Sequence, residues 1–304
     1  MISFFYKTIK EPALRKLDRP RAGVWVDAEN PSETEIEFLV GLGLDRGLLA
    51  DAMDVREVPR LETKKGVTYI FTRVPAAGGD MPTIPLLVAI AEKFVLTLGV
   101  ERAKALSTFR ANKIEFYTTQ KTKFLIQIFS SVNKEFNASI TEISRKVRGV
   151  KINMEKIKNK DLVQLVNFEE SLNDFLSALV PTSALLRKML AGGHIALYTE
   201  DKDVVENLFL ESNQLIEFCK STLKTIVNIR DAYSTIMTHN LNRVIKLLTA
   251  LTIILTIPTV ISSIFGMNVR LPMQDSPLAF SWVMALTAAV SVFTLGVFAK
   301  KGWL

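Results

Sequence analysis

The residues best placed to do chemistry lie near the C-terminal end. Thr249, Thr252, Thr256, Thr259 and Ser263 recur at steps of three and four inside an apolar stretch that ends at Phe265. Residues at that spacing share one face of a helix. Ile245 and Asn242 continue the line toward the charged part of the chain, and Gly266-Met267-Asn268 stands at the other end. A threonine can satisfy its hydroxyl on its own backbone, so helix–helix packing accounts for one or two such residues. Five in register, leading to an asparagine, point instead to the wall of a water-filled path.

Other chemistries find little footing. A single cysteine, Cys219, excludes an intrachain disulfide. His194 and His239 are 45 residues apart without an acidic cluster between them, which is no zinc-ligand spacing. There is no nucleophile elbow, no phosphate-binding P-loop and no dinucleotide fingerprint. "AGGHI" (191–195) reads as a connector between helices. No enzyme is expected.

The stripe must be held by the element that carries it. Residues 247–265 contain no formal charge over 19 positions, and 278–299 none over 22. A helix needs about 20 apolar residues to cross the hydrocarbon layer, so both read as spans, at about 244–265 and 278–299. Two buried helices of a soluble core are the competing reading, but uncharged runs of this length seldom lie inside soluble domains. "MISFFYKTIKEP" has too short an apolar patch for a cleavable signal. Arg243 and Lys246 precede the first span and Lys300 and Lys301 follow the second, while Arg270 in the connecting loop is offset by Asp275. Excess positive charge stays inside, so both termini are expected in the cytoplasm and the loop outside. The net charge of +7 would suit nucleic acid. Beside two spans, anionic membrane lipid is the expected neighbour and no nucleic acid is expected.

Before the spans, residues 1–117 read as a mixed α/β cytoplasmic domain. "GVWVDAE" (23–29) and "GVTYIFTRV" (66–74) are strand-like, and "PLLVAIAEKFVLTLG" (85–99) reads as two strands turning at Glu92-Lys93. Ser32 with Glu35 three residues on predicts a capped helix over 32–43. Residues 118–242 have helical periodicity: one long amphipathic helix, a second running back, and an interruption at Pro181. From Asp203 to Phe265 there is no glycine, and Pro258 is the one proline, which predicts a single stalk helix of about 90 Å. Leu215, Cys219, Thr222, Ile226, Ile229, Tyr233 and Ile236 approach coiled-coil spacing, a face expected to be covered by neighbouring copies.

"NLNRVIKLLTALTIILTIPTVISSIFGMN", a short loop, a second span and the terminal "KKGWL" together resemble the CorA magnesium transporters. "LADAMDVREVPRLE" (49–62) and the paired strands are similar to that family's N-terminal part, so the likeness covers essentially the whole chain. The resemblance implies an α+β cytoplasmic domain, a long stalk helix and two C-terminal transmembrane helices, assembled as a funnel-shaped homopentamer in the cytoplasmic (inner) membrane. Five copies of the first span would line the pore. Gly266, Met267 and Asn268 would form its outer selectivity ring and Asn242 an inner polar ring, with Mg2+, and Co2+ or Ni2+ beside it, as the transported ion. Magnesium dehydrates reluctantly, and amide and carbonyl oxygens can accept hydrogen bonds from its waters without stripping them. Internal Mg2+ would also act as regulatory ion, with Asp51 matching an acid of the family's site between subunits. Two positions depart from the family: its second acid is replaced near Asn207, with Glu206 and Glu211 close by, and the tip of the helical hairpin, "RKVRGVKINMEKIKNK", is basic where relatives are acidic. A ZntB-like zinc transporter and a membrane-anchored sensor are the alternatives.

Overall fold

A computed structural model describes residues 1–303 except 77, 79–80, 153–156, 193–194 and 270–275. The chain forms two compact units, Met1–Asn228 and Ile229–Leu304.

The first unit is built on a seven-stranded sheet. Its order is β2 (Arg15–Leu17), β1 (Ile2–Tyr6), β3 (Val24–Glu29), β7 (Phe94–Gly99), β6 (Thr83–Ile90), β5 (Val67–Pro75) and β4 (Arg60–Lys64). β3 and β7 pair in parallel, with Val26 opposite Leu96. The remaining neighbours are antiparallel. Successive strand residues point to opposite faces, and here helices cover both. Val24, Val26, Tyr69, Phe71, Leu87, Leu96 and Leu98 share one buried cluster with Ile36 and Leu39 of α1 (Glu33–Gly41) and Leu48 and Leu49 of α2 (Arg46–Asp51). On the other side pack α4 (Lys121–Ile152) and α5 (Asn159–Leu190), reached through a short helix, α3 (Ser107–Arg110). Double coverage is why β5 to β7 read as nearly unbroken apolar runs rather than alternating ones.

Trp25 anchors this second face. Its ring centroid lies 5.2 Å from Phe124 of α4 and 6.1 Å from Phe116. Its indole Nε1 donates to Thr97 Oγ1 at 2.8 Å, and that hydroxyl donates to Asp27 Oδ1 at 2.8 Å. The buried Arg110 closes the chain, donating to Asp27 Oδ2 at 2.7 Å and to Glu29 Oε1 at 2.7 Å. Among the interior groups of this network each polar atom thus meets a partner of opposite need, which is what makes burial of the charges tolerable.

Local signals are obeyed where packing agrees with them. Ser32 caps α1 and Glu35 returns the bond to the Ser32 amide, forming the complete capping box. At Gly23, φ is +84° and a Cβ would lie 2.7 Å from Thr119 Cγ2, so glycine alone fits this turn. Pro181 is a correction: α5 runs unbroken through it. An interior proline removes one amide donor and costs about 3 kcal/mol. The helix continues because Ala178, Leu179, Thr182, Leu185 and Leu186 are all buried around it. Thr182 also anchors the turn, donating to the Ala178 carbonyl at 2.8 Å and lying 3.2 Å from Thr72 Oγ1 on the sheet.

The long helix, α6, spans Thr199–Phe265 with Pro258 inside it. In the first unit Asn133 of α4 donates to the Leu208 carbonyl at 3.2 Å, and Ser183 of α5 donates to Asn213 Oδ1 at 2.9 Å. This packing corrects the expected seam. Leu215, Cys219, Thr222 and Ile226 are already buried within the chain, so this part of the stalk needs no second copy to cover it.

In the second unit, α6 continues and α7 (Ala279–Lys300) follows. The apolar window of α6 is 6% buried and that of α7 is 0% buried. Core helices of a soluble protein would be mostly covered, so these two need another apolar environment. The second apolar stretch forms a helix over Ala279–Lys300. Arg270, Asp275 and the 193–194 part of the "AGGHI" connector lie outside the described residues, as do 153–156 of the hairpin tip.

Candidate functional site

The stripe is present on α6 as a row of hydroxyls bonded to their own helix. Thr249 donates to the Ile245 carbonyl at 2.8 Å, Thr252 to Leu248 at 2.9 Å, Thr256 to Thr252 at 2.7 Å and Thr259 to Leu255 at 3.0 Å. A hydroxyl has one hydrogen and two acceptor lone pairs. With the hydrogen committed to the backbone, each threonine presents only acceptor capacity outward. That is the polarity that suits water whose own oxygen is turned toward a cation.

Asn242, Ile245, Thr249, Thr252, Thr256, Thr259 and Ser263 are all exposed in the single chain. At 3.6 residues per turn they occupy an arc of about 100°. Ala250, buried, and Ile254, Ile257, Pro258 and Ile261, half-buried, lie on the other side of the same helix. Thr256 also borders a shallow apolar groove with Ile257, Val260 and Val290 of α7.

Gly266 ends α6. Its amide donates to the Ser262 carbonyl at 3.0 Å, and the Met267 amide reaches Ile264 at 3.3 Å, so the last turn tightens as it closes. A Cβ on Gly266 would stand 3.3 Å from the Ser262 carbonyl oxygen, closer than a side chain normally comes. Met267 and Asn268 follow, both exposed, which leaves the Asn268 amide at the helix mouth.

The regulatory set is arranged differently from expectation. Glu206, Asn207 and Glu211 are exposed on α6. Asp51, at the end of α2, accepts from Arg60 Nη2 at 2.7 Å, so it is compensated within its own chain. The same guanidinium binds Glu57 and, at 2.6 Å, Glu62. Among the described residues no group of three or more His, Cys, Asp or Glu side chains is placed to hold a metal ion. One chain by itself therefore does not fit a resident cation at Asp51. Sequence reasoning missed Arg60, although Arg60 and Glu62 two apart on β4 share a strand face and signal such a pair.

The family model for CorA-like Mg2+ transporter proteins matches residues 21–301. The chain belongs to this family. A curated relative, the cobalt/magnesium transport protein CorA of Methanocaldococcus jannaschii, is 23% identical over 295 residues, covering 92% of this chain and 91% of its own. The complete structure of the CorA magnesium transporter from M. jannaschii superposes with a TM-score of 0.88 at 20% identity, covering 100% of this chain and 99% of that one. The ZntB cytoplasmic domain of Vibrio parahaemolyticus superposes with a TM-score of 0.65 at 10% identity over 78% of this chain and 98% of that one. At these identities the superpositions establish the fold: an α/β domain, a long helix and two C-terminal apolar helices, the CorA arrangement.

Proposed function

We propose that the chain conducts Mg2+ across the cytoplasmic membrane as a homopentamer, with α6 lining the pore and α7 outside it. The observation that carries this reading is the row of threonines whose hydroxyl hydrogens are all turned to the backbone, ending at an exposed Asn268. Repeated around a symmetry axis, the row becomes a wall of acceptors for the waters of a hydrated cation. Mg2+ keeps several of its waters in most sites, so it can pass without full dehydration. Neutral oxygens bind less tightly than carboxylates would, and conduction requires release as well as capture. Gly266 would turn the chain so that the Met267 and Asn268 backbone and the Asn268 amide meet the ion at the mouth. Asn242 and Ile245 would form the inner end of the same path.

The family assignment favours Mg2+ over Zn2+, and the sparse His and Cys content agrees. Co2+ and Ni2+, with similar hydrated geometry, are secondary cargo. The basic flanks support a topology with both termini in the cytoplasm. Regulation by internal Mg2+ would use Asp51 of one copy and Glu206 or Glu211 of the next, and a cation there would have to compete with Arg60. The test is uptake of Mg2+, Zn2+ and Co2+, side by side, into liposomes carrying the purified protein. Mg2+ entry above protein-free liposomes is expected. Zn2+ entry without Mg2+ would favour the zinc reading, and no flux of any of the three would overturn the transport reading and leave the tethered sensor.

A further inference from the structure

Residues 145–160 hold seven basic side chains and one acidic one, a net +6 of the chain's total of +7. The remainder of the protein is thus close to neutral; of this stretch, 153–156 lie outside the described residues. α4 and α5 form a helical hairpin: Phe136 meets Phe175 at 5.5 Å, and further along Lys146 lies 5.9 Å from the Phe168 ring. At the described end Arg145, Arg148, Lys151, Lys158 and Lys160 are exposed, and Ile152 among them is 82% exposed.

The direction of the hairpin is set by its contacts with the long helix. Thr122 at the start of α4 reaches the Ala196 carbonyl just before α6, and Asn133 reaches Leu208 within it. α4 therefore runs in the same sense as α6, and its basic end lies at the end of the first unit from which α6 leaves it, at Asn228.

We propose that this basic tip binds the anionic lipid headgroups of the cytoplasmic leaflet. Clusters of Lys and Arg on the cytoplasmic side of a membrane anchor are drawn to that leaflet by its negative surface potential, which decays over about 8–10 Å, so the proposal requires the tip itself to touch the headgroups. Two features favour lipid over a nucleic acid backbone. A chain held by its own spans meets headgroups at high effective concentration. The exposed Ile152 is an apolar group that an interface accommodates and a phosphate backbone does not. The inference rests on the membrane reading above.

The test uses the full chain reconstituted in vesicles of phosphatidylcholine alone or of phosphatidylcholine with phosphatidylglycerol. Ile152→Cys carries an environment-sensitive fluorophore, and neutral acrylamide is the quencher. Flotation with the vesicles checks the membrane reading independently. Quenching is expected to fall in the anionic vesicles relative to phosphatidylcholine alone. High salt, or the combined change Arg145→Gln, Arg148→Gln, Lys151→Gln and Lys160→Gln, should restore it. Equal quenching in both vesicles, in protein that floats with them, would overturn the proposal. Protection by added RNA in phosphatidylcholine vesicles, with none from phosphatidylglycerol, would likewise overturn it in favour of nucleic acid.

Discussion

Arg60 Nη2 stands 2.7 Å from Asp51 Oδ2, so the carboxylate expected to meet a regulatory cation already has a partner in its own chain. The guanidinium carbon also lies 4.1 Å from the centroid of the Phe71 ring, which fixes it over the sheet. Arg60 is only 31% exposed and also bridges Glu57 and Glu62, so the denaturation midpoint of Arg60→Gln is measured beside its flux to confirm that the domain stays folded. Flux measured against internal Mg2+ then reads its regulatory effect. Arg60→Gln should close the channel at lower Mg2+ and Asp51→Asn at higher Mg2+. Couplings between sites of about 1–3 kcal/mol correspond to shifts of about 5–150-fold, and the lower end is expected here. Three superimposable curves would remove Asp51 from regulation.

The threonine row supplies its own control. Thr294 on α7 donates to the Val290 carbonyl at 2.8 Å, the same bond that Thr256 makes on α6. Thr256→Val and Thr294→Val thus remove the same hydroxyl and the same backbone bond. Mg2+ flux should fall strongly for the first and little for the second, since in the proposed pore only the first removes a lining acceptor. Equal effects would mean that both hydroxyls serve helix packing.

Orientation can be tested without altering Cys219. That thiol is buried, and burial pushes its pKa up to about 12, so at neutral pH it is protonated and unreactive. Cysteines placed singly at Ser276 and Leu304 report on the two ends of α7. An impermeant thiol reagent added to intact cells should label position 276 and spare 304. Labelling of both from outside contradicts the two-span arrangement with both ends in.

Asp27 and Arg110 form the interior charge pair of the first unit, with side chains 6% and 8% exposed. Removing one member of such a pair strands the other, at a cost of about 3–5 kcal/mol. Arg110→Met should lower the denaturation midpoint of the detergent-solubilised protein accordingly. The double change Asp27→Leu with Arg110→Met should recover part of the loss. A loss no larger than that of a surface arginine would show the network to be dispensable.

What could be read in the sequence was local or periodic. Ser32 and Glu35 specify a cap by their spacing alone, and the apolar runs 66–74 and 85–99 became β5, β6 and β7. The stripe from Thr249 to Ser263 was legible because a helix converts spacing into a face. Long-range pairing was not. Asp27 and Arg110 are 83 residues apart and look like ordinary surface charges until the sheet and α3 bring them together. Arg60 meets Asp51 only because the end of α2 and the start of β4 come together in the fold, a contact that no periodicity in the sequence specifies. Pro181 misled because a proline weighs against helix locally, whereas its neighbours on α5 are committed to the sheet. The coiled-coil spacing near Leu215 was real, but α4 and α5 cover the first unit's share of that face.

The pore assignment is most directly tested at Asn268. Wild type and Asn268→Ala, purified to equal amounts and of equal oligomeric state, should be compared for Mg2+ uptake into liposomes. The side chain is exposed at the end of α6, so folding should be unaffected. The substitution removes one acceptor from each copy around the mouth, and Mg2+ uptake is expected to collapse to near the protein-free rate. Uptake at the wild-type rate would contradict the assignment of Gly266-Met267-Asn268 as the selectivity ring.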